Sequence, residues 1–397
     1  MINSLNELIK LTNEQEKTIT PDLINPNVWC TTEWDFMEPE KRDLVLSKIL
    51  IEVIKRAKKE SLYKKAYEKI NMKELEKEKS ATEILLQLPV LFKDNTSFGA
   101  KGFRETIKTN PYILKHGDKF IATEIFKSGG TKGIPTPTFI TKRDLEIESK
   151  ALGFRCFVPG GFKEKDILFT TYNPSHKGGR EIQEAATHIG MDAIVKRPED
   201  NLQDIIEIIK TYKANCIATV QPPINEEDEA QKGAGVNFLN LFKEDHELFG
   251  KDGQIKKAFI TGFKVPDSVI NLAKEIGLQL FTTYGCSEFI PLATSTTQEK
   301  TKCHFNDQHI LYGPHMTIVV KTEDKELIPV KKGERGMVLI TTLGISNGRT
   351  IFLNYAIGDT AIFHDNQCGC GRTTPIITDI SRTDNPDEIL SGGCRCV

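Results

Sequence analysis

The chain has 397 residues, 39% of them hydrophobic and 27% charged, with 53 basic and 55 acidic side chains and a formal net charge of −2 at pH 7. This balance favours a globular protein and gives no electrostatic argument for a nucleic acid or an acidic membrane surface as a partner. No apolar run approaches about eighteen residues, and the first residues lack the basic start and apolar core of a secretory signal, so we expect a cytoplasmic protein.

Residues 41–70 carry the first strong pattern, which is helical. Leu46, Leu50, Val53 and Ala57 fall on one face, with lysines and glutamates on the others. We predict two structural helices here, and we interpret the lysines as a solvated face. Residues 1–112 are accordingly predicted to form an N-terminal helical part.

Residues 126–137 form a loop-like stretch that reads Phe-Lys-Ser-Gly-Gly-Thr-Lys-Gly-Ile-Pro-Thr-Pro. Glycines let backbone N–H groups approach an anion, the hydroxyls add donors, and Lys132 adds a positive charge. Thr141 is predicted to cap the helix that follows. The spacing matches neither a P-loop nor a dinucleotide fingerprint. By itself the stretch therefore predicts either a phosphate loop or a surface turn of small residues.

Short β-rich runs and helical stretches then alternate. The predicted strands are residues 166–172, 215–220, 257–261 and 278–284. The predicted helices are residues 180–189, 202–212 and 265–276. This alternation indicates βαβ units, so we predict an α/β fold with a mainly parallel sheet flanked by helices. Ligands of such sheets bind at the carboxyl ends of the strands.

Beyond residue 311 the sequence pattern changes to short β-rich segments separated by tight turns. The predicted strands are residues 316–320, 336–342, 350–355 and 360–363. We therefore divide the rest of the chain into an α/β core over residues 113–310, a smaller β-rich subdomain over residues 311–385 and a tail over residues 386–397.

The cysteines are unevenly distributed: five of the nine lie in the last quarter of the chain. In a reducing compartment this favours a metal site or reactive thiols over disulfides. Cys303 and His309 precede the Cys368-x-Cys370 pair, and thiolates with an imidazole suit a closed tetrahedral zinc site. We predict a structural Zn²⁺ on these four residues, with His304 as the competing imidazole. The alternative is a set of small buried residues without a metal.

Four segments, taken in order, resemble the adenylate-forming superfamily of acyl-CoA synthetases, peptide-synthetase adenylation domains and luciferases. In the first, Ser128, Gly130, Thr131, Gly133 and Pro135 match the phosphate loop of that family, Ser-Ser-Gly-Thr-Thr-Gly-x-Pro. The other three segments are Tyr-Gly-Cys-Ser-Glu at 284–288, Asn-Tyr-Ala-Ile-Gly-Asp at 354–359 and Ser-Arg-Thr-Asp at 381–384.

The branch most similar to this chain is phenylacetate-CoA ligase, which carries Cys-x-Cys-Gly-Arg-Thr-x-Pro after the Gly-Asp pair. Residues 368–375 read Cys-Gly-Cys-Gly-Arg-Thr-Thr-Pro. The resemblance covers residues 40–385, and this last motif is its most specific part. It departs from the family at Gly129 and Lys132, which replace a serine and a threonine, and at Ala356, which replaces an arginine.

The resemblance implies ATP as a substrate and Mg²⁺ as its ion. It implies that Glu288 holds the ion, that Tyr284 lies against the adenine and that Asp359 accepts hydrogen bonds from the ribose. The loop would wrap the phosphates, and Thr131 and Lys132 would join Glu288 as the catalytic set. The nucleotide-binding set implied is Ser128, Gly129, Gly130, Thr131, Gly133, Tyr284, Gly285, Ser287, Glu288, Asp359 and Arg382.

The acid pocket is expected where two predicted strands end on the same side of the sheet. His176 is interpreted as a wall residue, because a carboxylate substrate is already ionised and needs no base. Gly262 begins Gly-Phe-Lys, where the family has Gly-x-Glu. The predicted pocket residues are Tyr172, His176, Gly178, Gly179 and Gly262.

Family members continue past a hinge, matched here by Arg382, into a mobile lid that carries an adenylation lysine. Because the chain stops at Val397, the resemblance predicts that this lid is absent. Luminescence-type acyl-protein synthetases are similar in this respect and pass the acyl group to their own C-terminal cysteine. Cys394 and Cys396 allow three interpretations: a mobile thiol acceptor, a disordered tail or a second pair of metal ligands.

Two functions follow. The first is an enzyme that activates a small carboxylic acid, aryl or fatty, as an acyl-adenylate and passes it to a thiol of CoA, a carrier protein or itself. The second is a degenerate homologue that binds nucleotide or a partner, or that needs a separate lid protein. The retained Glu288 and Asp359 favour the enzyme, whereas Gly129, Ala356 and the missing lid favour the alternative. A homodimer stays open.

Overall fold

The computed structural model describes residues 1–14, 18–117, 120–127, 135–222, 236–295, 307–344, 346–365, 369–383, 385–390 and 393–397. Contacts divide the chain into two compact units. Unit 1 is Met1–Ile147, His309–Gln367 and Gly371–Val397, and unit 2 is Glu148–Gln308 and Cys368–Cys370. The four segments predicted from the sequence are a different division and stay a prediction.

The helices of the described residues, in chain order, are α1 (Leu5–Asn13), α2 (Pro26–Cys30), α3 (Glu33–Phe36), α4 (Pro39–Ala57), α5 (Ser61–Lys64), α6 (Met72–Leu75), α7 (Ala81–Leu86), α8 (Arg104–Thr109), α9 (Lys142–Leu152), α10 (Lys177–His188), α11 (Leu202–Tyr212), α12 (Phe238–Glu244) and α13 (Asp267–Glu275). A π-helix continues α9 over Gly153–Phe157. Short 3-10 helices cover Pro21–Leu23, Pro111–Leu114, His246–Leu248 and Pro386–Glu388.

The strands are β1 (Leu91–Phe92), β2 (Glu124–Lys127), β3 (Pro137–Ile140), β4 (Ile167–Thr170), β5 (Asp192–Val195), β6 (Cys216–Thr219), β7 (Lys257–Ile260), β8 (Gln279–Phe281), β9 (Thr283–Cys286), β10 (Phe289–Thr294), β11 (Gln308–Ile310), β12 (His315–Glu323), β13 (Glu326–Pro329), β14 (Arg335–Thr342), β15 (Tyr355–His364) and β16 (Ile376–Arg382). Within the described residues, none of the helices has the length and apolar character that crossing a membrane requires.

Unit 2 is built on a five-stranded parallel sheet in the order β5-β4-β6-β7-β8. Phe169, Ile217 and Ala258 on its strands are fully buried, in one apolar cluster with Ile209 of α11 and Val269 of α13. Burial of strand residues on both faces is typical of parallel sheets covered by helices. The predicted α/β class with a parallel sheet is confirmed.

The strand order also defines where a ligand would enter unit 2. The chain moves from β4 to β5 on one side and then to β6 on the other side of β4. At such a switch point the connections after neighbouring strands diverge and leave a crevice at the carboxyl ends. The predicted pocket residues from Tyr172 to Gly179 follow β4 directly, so they lie at this edge of the sheet.

Unit 1 holds the β-rich part of the fold and the N-terminal helices. Strands β13-β12-β14-β15-β16 form an antiparallel ladder, and β1 pairs in parallel with β15. The predicted apolar face of α4 is confirmed. All four of its residues are buried: Leu46, Leu50, Val53 and Ala57.

The predicted strand at 350–355 is wrong in its position. Strand β15 begins only at Tyr355, because Asn354 has a positive φ of +45° that interrupts extended backbone. The buried amide of Asn354 donates hydrogen bonds to the carbonyl oxygens of Leu85 (2.6 Å) and Leu88 (3.2 Å). These bonds fasten the residue before β15 to the end of α7, and they hold the left-handed turn in place.

Candidate active site

The predicted phosphate loop connects two paired strands of unit 1. Strands β2 and β3 are antiparallel, with Lys127 opposite Pro137, and the chain between them carries the loop. The predicted cap of the next helix is confirmed: the Asp144 N–H donates to the Thr141 hydroxyl at 3.2 Å, and the Thr141 N–H donates to the Asp144 carboxylate at 3.0 Å. The loop residues themselves lie outside the described residues: Ser128, Gly129, Gly130, Thr131, Lys132 and Gly133.

The segment 284–288 forms the turn of a hairpin in unit 2. Tyr284 and Gly285 lie on β9, and Ser287 and Glu288 make the connection to β10. A side chain at Gly285 would come within 2.9 Å of both the Phe289 carbonyl oxygen and the Ile290 side chain. Glu288 is only 4% exposed. The hairpin therefore packs tightly and holds a carboxyl group in a fixed, buried position.

The Tyr172 side chain connects strand ends of the parallel sheet through hydrogen bonds. Its phenol oxygen lies 2.8 Å from the Thr219 carbonyl oxygen and 2.9 Å from that of Thr261, and it accepts a hydrogen bond from the Thr261 N–H at 3.2 Å. Burial raises the pKa of Tyr172 well above its usual range, so the phenol stays neutral and can donate. Its hydroxyl thus links the last residue of β6 to the chain after β7, and only the ring is left to face a ligand.

Replacing Tyr172 with phenylalanine should lower the free energy of unfolding by about 1–3 kcal/mol. The change removes the donor to the Thr219 and Thr261 carbonyl groups and the acceptor for the Thr261 N–H. Urea unfolding measures the loss. Tyr212→Phe is the matched control, because Tyr212 is 61% exposed on α11. An equal loss of stability in the two variants would contradict this structural role of the Tyr172 hydroxyl group.

The residues around His176 form the first turn of α10. His176 is exposed and precedes the helix as its N-cap without a side-chain hydrogen bond. At Gly179 a side chain would lie 2.1 Å from the Asn173 carbonyl oxygen, and at Gly178 it would lie 2.9 Å from Ile290. Glycines therefore let the turn after β4 and the hairpin at 284–288 approach α10. The hairpin and the predicted pocket wall are neighbours in unit 2.

Gly262, the remaining pocket residue, follows β7. Its φ is +92°, a conformation that side chains rarely adopt, and a Cβ atom there would meet nothing closer than Val220 at 3.8 Å. Backbone conformation and not space therefore explains glycine at this position.

A buried ion cluster, which the sequence analysis missed, lies directly beside the pocket segment. The Lys177 ammonium group contacts the Glu148 carboxylate and lies 2.8 Å from the Glu181 carboxylate. All three side chains are at most 2% exposed. Burial alone would lower the pKa of Lys177, but the two carboxylates outweigh it and raise that pKa. Burial raises the pKa of Glu181 well above its usual range, against the pull of Lys177, and the negative charge of Glu148 adds to the rise.

The raised pKa of Glu181 predicts a pH dependence of stability. The folded state binds this proton more tightly than the unfolded chain, so the free energy of unfolding falls as pH rises from the ordinary carboxyl pKa towards the raised value. Glu181→Gln cannot ionise and should lack this loss. Relative to the wild type, the variant should gain stability between about pH 5 and pH 8 in urea unfolding. A constant difference, as expected for the exposed Glu207→Gln control, would contradict the assignment.

Asp359 and Arg382 lie together in unit 1. They are directly opposite each other on β15 and β16, and an Arg382 guanidinium N–H donates to the Asp359 carboxylate at 3.2 Å. A side chain at Gly358, which has a φ of +90°, would come within 3.0 Å of that guanidinium group. The Gly-Asp pair thus gives the arginine room to lie across the strand and reach the carboxylate.

The predicted zinc ligands are covered only in part. Cys303 and Cys368, as well as the competing His304, lie outside the described residues. His309 is fully buried, and its Nδ1 lies 3.2 Å from the Thr374 carbonyl oxygen, while Cys370 has a half-buried thiol that is not in a disulfide. In the part of the chain that the structure describes, no group of three or more His, Cys, Asp or Glu side chains could hold a metal ion. The zinc site stays a prediction.

The Arg-Thr pair of the Cys-x-Cys motif has a role that the sequence did not indicate. Arg42 of α4 donates to the Thr373 hydroxyl at 2.7 Å, to the Thr373 carbonyl oxygen at 3.2 Å and to the Met37 carbonyl oxygen at 3.0 Å. The Thr373 N–H donates to the Asp35 carbonyl oxygen at 2.8 Å, and Arg372 lies 3.8 Å from the Asp35 carboxylate. The motif therefore locks the N-terminal helices of unit 1 to its C-terminal part.

Comparisons with known proteins give the fold. Neither a protein family nor a curated protein sequence matches this chain. Among solved structures, it is similar to 2-hydroxyisobutyryl-CoA ligase in an open conformation with 2-HIB-AMP and CoA, at 16% identity and a TM-score of 0.70, over 89% of this chain and 77% of that one. The same ligase in its thioesterification state matches at 17% identity and a TM-score of 0.70, over 90% and 71% of the two chains. The chain therefore shares the fold of these ligase structures.

Proposed function

We propose that this protein activates a carboxylic acid with ATP and transfers the acyl group to a thiol. A carboxylate oxygen would attack the α-phosphorus of ATP, and the bond to pyrophosphate would break. A thiolate would then attack the acyl carbonyl carbon of the acyl-adenylate, and AMP would leave. Such chemistry rests on positioning the two reactants and offsetting phosphate charge.

The observation that carries the proposal is the buried Glu288 carboxyl at the turn of a tightly packed hairpin. Catalytic ions must be held in a fixed place, and carboxylate oxygens are the ligands that Mg²⁺ prefers. Glu288 would hold the ion that comes with ATP, and that ion would offset the charge of the phosphates. Tyr284, one strand position before Gly285, would lie against the adenine.

Asp359 would bind the ribose of the same nucleotide. An Arg382 guanidinium N–H donates to its carboxylate, and a carboxylate offers acceptor oxygens for two neighbouring hydroxyl groups. The phosphate loop between β2 and β3, with Thr131 and Lys132, would wrap the β- and γ-phosphates. The solved structures with the same fold were obtained with an acyl-AMP and CoA, which supports the assignment of both half-reactions.

The acid would lie at the crevice after β4, against the ring of Tyr172 and the first turn of α10. Lys177 does not offer its charge to the substrate there, because it is enclosed with Glu148 and Glu181. The exposed His176 is then the wall residue that meets the acid. We propose an aryl or fatty acid, on the resemblance of the 368–375 motif to phenylacetate-CoA ligase, with CoA, a carrier protein or a cysteine of the chain as the thiol.

A structural zinc ion belongs to the same proposal. A histidine that binds metal through Nε2 usually donates its Nδ1 hydrogen to a backbone carbonyl, and His309 has its Nδ1 beside the Thr374 carbonyl oxygen. Cys303, Cys368 and Cys370 would complete the set. Zinc would fix the fold at this point and take no part in the reaction.

The test is ATP–pyrophosphate exchange across a panel of acids that contains phenylacetate, benzoates, fatty acids of several lengths and 2-hydroxyisobutyrate. Exchange that depends on one acid class would support adenylation and name the substrate. Thioester formation with CoA is then measured with that acid. A folded, ATP-binding protein that is silent with every acid would favour the degenerate nucleotide- or partner-binding homologue.

A further inference from the structure

The C-terminal segment 393–397 is docked in unit 1. The Val90 N–H donates to the Arg395 carbonyl oxygen at 2.8 Å, and the Val397 N–H donates to the Val90 carbonyl oxygen at 3.1 Å. Val90 directly precedes β1, so these two bonds extend strand pairing to the end of the chain. Gly393 begins the segment with a φ of +101° and packs on Phe98.

This docking places Cys394 and Cys396 side by side. Residues two apart in an extended segment point to the same side. The Cys396 sulfur lies 3.1 Å from the Cys394 carbonyl oxygen, to which its thiol donates. Both side chains are half-buried, and both are free thiols. Arg395 between them is exposed and lines a separate cavity of about 300 Å³ with residues of α7 and β13.

The two thiols are chemically different. The hydrogen bond with Cys394 holds the pKa of Cys396 below its usual value, although partial burial opposes this. The same hydrogen bond, together with burial, raises the pKa of Cys394. When Cys396 ionises, its sulfur gives up the contact in which it donates to the Cys394 carbonyl group, and it accepts from the Cys394 thiol instead. Cys396 is thus the thiol that ionises first and acts as the nucleophile, while Cys394 keeps its proton.

We propose that Cys394 and Cys396 form a redox-active dithiol that is oxidised by small disulfides such as oxidised glutathione. The Cys396 thiolate attacks one sulfur of the disulfide, which releases one small thiolate and leaves a mixed disulfide on Cys396. Cys394 then loses its proton and attacks the Cys396 sulfur, which releases the second thiolate. The chain loses two electrons and two protons and gains a Cys394–Cys396 bond, while the small disulfide is reduced to two thiols.

The geometry also predicts that this disulfide is easily reduced. Two residues that are two positions apart in extended backbone are separated by about 6.6–7.2 Å between Cα atoms, which is at or beyond the upper limit of the distance that a disulfide spans. Closing the bond therefore requires a backbone bend at Arg395, between the two cysteines, and strained disulfides are the labile ones. The site is a reversible modification site, and it does not depend on the proposed acyl transfer.

Mass spectrometry of the whole chain after treatment with oxidised glutathione tests the proposal. Cleavage after Glu388 releases residues 389–397 with both cysteines in one peptide. In the wild type this peptide should lose two hydrogens, carry no lasting glutathione and return to the dithiol with dithiothreitol. Cys394→Ser should stop at a glutathione adduct on Cys396. Cys396→Ser should react at least about tenfold more slowly, the factor that one pKa unit gives in thiolate fraction.

Cys286→Ser is the matched control, because it removes another half-buried thiol and keeps the pair. It should leave the chemistry of the 389–397 peptide unchanged. A lasting adduct on the wild-type peptide, equal rates for the two tail variants or an unreacted wild-type peptide would each overturn the proposal. Circular dichroism shows that every variant compared is folded.

Discussion

Replacing Glu288 with glutamine is expected to reduce ATP–pyrophosphate exchange by about 100- to 1,000-fold, the effect of losing one preorganised charge-stabilising group. The amide has nearly the same shape but lacks the negative charge that holds a divalent cation. Since Glu288 is buried in a hairpin turn, the neutral side chain is easily accommodated, and the fold should survive. Exchange is measured with the best acid of the panel at saturating ATP.

Two comparisons make this result specific. Glu275→Gln, an exposed glutamate at the end of α13 in the same unit, should retain full exchange. Raising the Mg²⁺ concentration should restore part of the activity of Glu288→Gln if the loss comes from weaker ion binding. Full exchange in Glu288→Gln would remove this residue from the catalytic set, and the proposed function would lose its main support.

Replacing Lys177 with methionine is expected to lower the free energy of unfolding by about 3–5 kcal/mol, the cost of breaking a buried ion pair from one side. The change leaves the carboxyl groups of Glu148 and Glu181 buried without their cation. The loss should grow with pH, because burial already raises the pKa of Glu181, and removing the positive charge of Lys177 makes its ionisation in the folded chain still more costly. Urea unfolding at about pH 5 and pH 8 measures both effects.

The control for this change is Lys210→Met. Lys210 is 55% exposed and pairs with Asp245 at 2.6 Å, and exposed pairs contribute roughly 0–1 kcal/mol. If Lys177→Met were no more destabilising than this control, the cluster would contribute nothing to the stability of unit 2. Its effect on the pocket is read separately, as a change in KM for the acid at constant KM for ATP.

Hydrophobic patterning was sufficient for the central strands of the parallel sheet, because each is a short apolar run between turn residues. It did not reveal β5, an edge strand that begins at Asp192 and is at least partly exposed along its length. It also misplaced the start of β15, since the turn at Asn354 depends on carbonyl groups at the end of α7 and just after it, which are 269 and 266 residues away. Contacts between residues so far apart in the chain produce no recognisable pattern in the sequence around either residue.

The residues of the candidate site likewise divide into those that the sequence predicts and those that only the tertiary structure brings together. The turn at Glu288 and the pairing of Asp359 with Arg382 follow motifs that can be read along the chain. The spacing of four residues between Lys177 and Glu181 is one that predicts an ion pair on a helix. Glu148, in contrast, lies on a helix 29 residues earlier in the chain. The burial of all three side chains depends on tertiary packing and cannot be predicted from the local sequence. Tyr172 was interpreted as part of the pocket, yet its phenol hydrogen bonds to backbone groups at the ends of two other strands.

The hydrogen bonds between Arg42 and Thr373 have a consequence for folding during synthesis on the ribosome. The two residues are 331 positions apart, so the ribosome completes most of the chain before the arginine can meet its threonine. Until then the guanidinium group of α4 lacks its hydrogen bonds to Thr373, and the N-terminal helices are not held to the C-terminal part of unit 1. Nascent chains arrested before this motif should therefore keep an open, protease-sensitive N-terminal region, and completion of unit 1 should be a late event of synthesis.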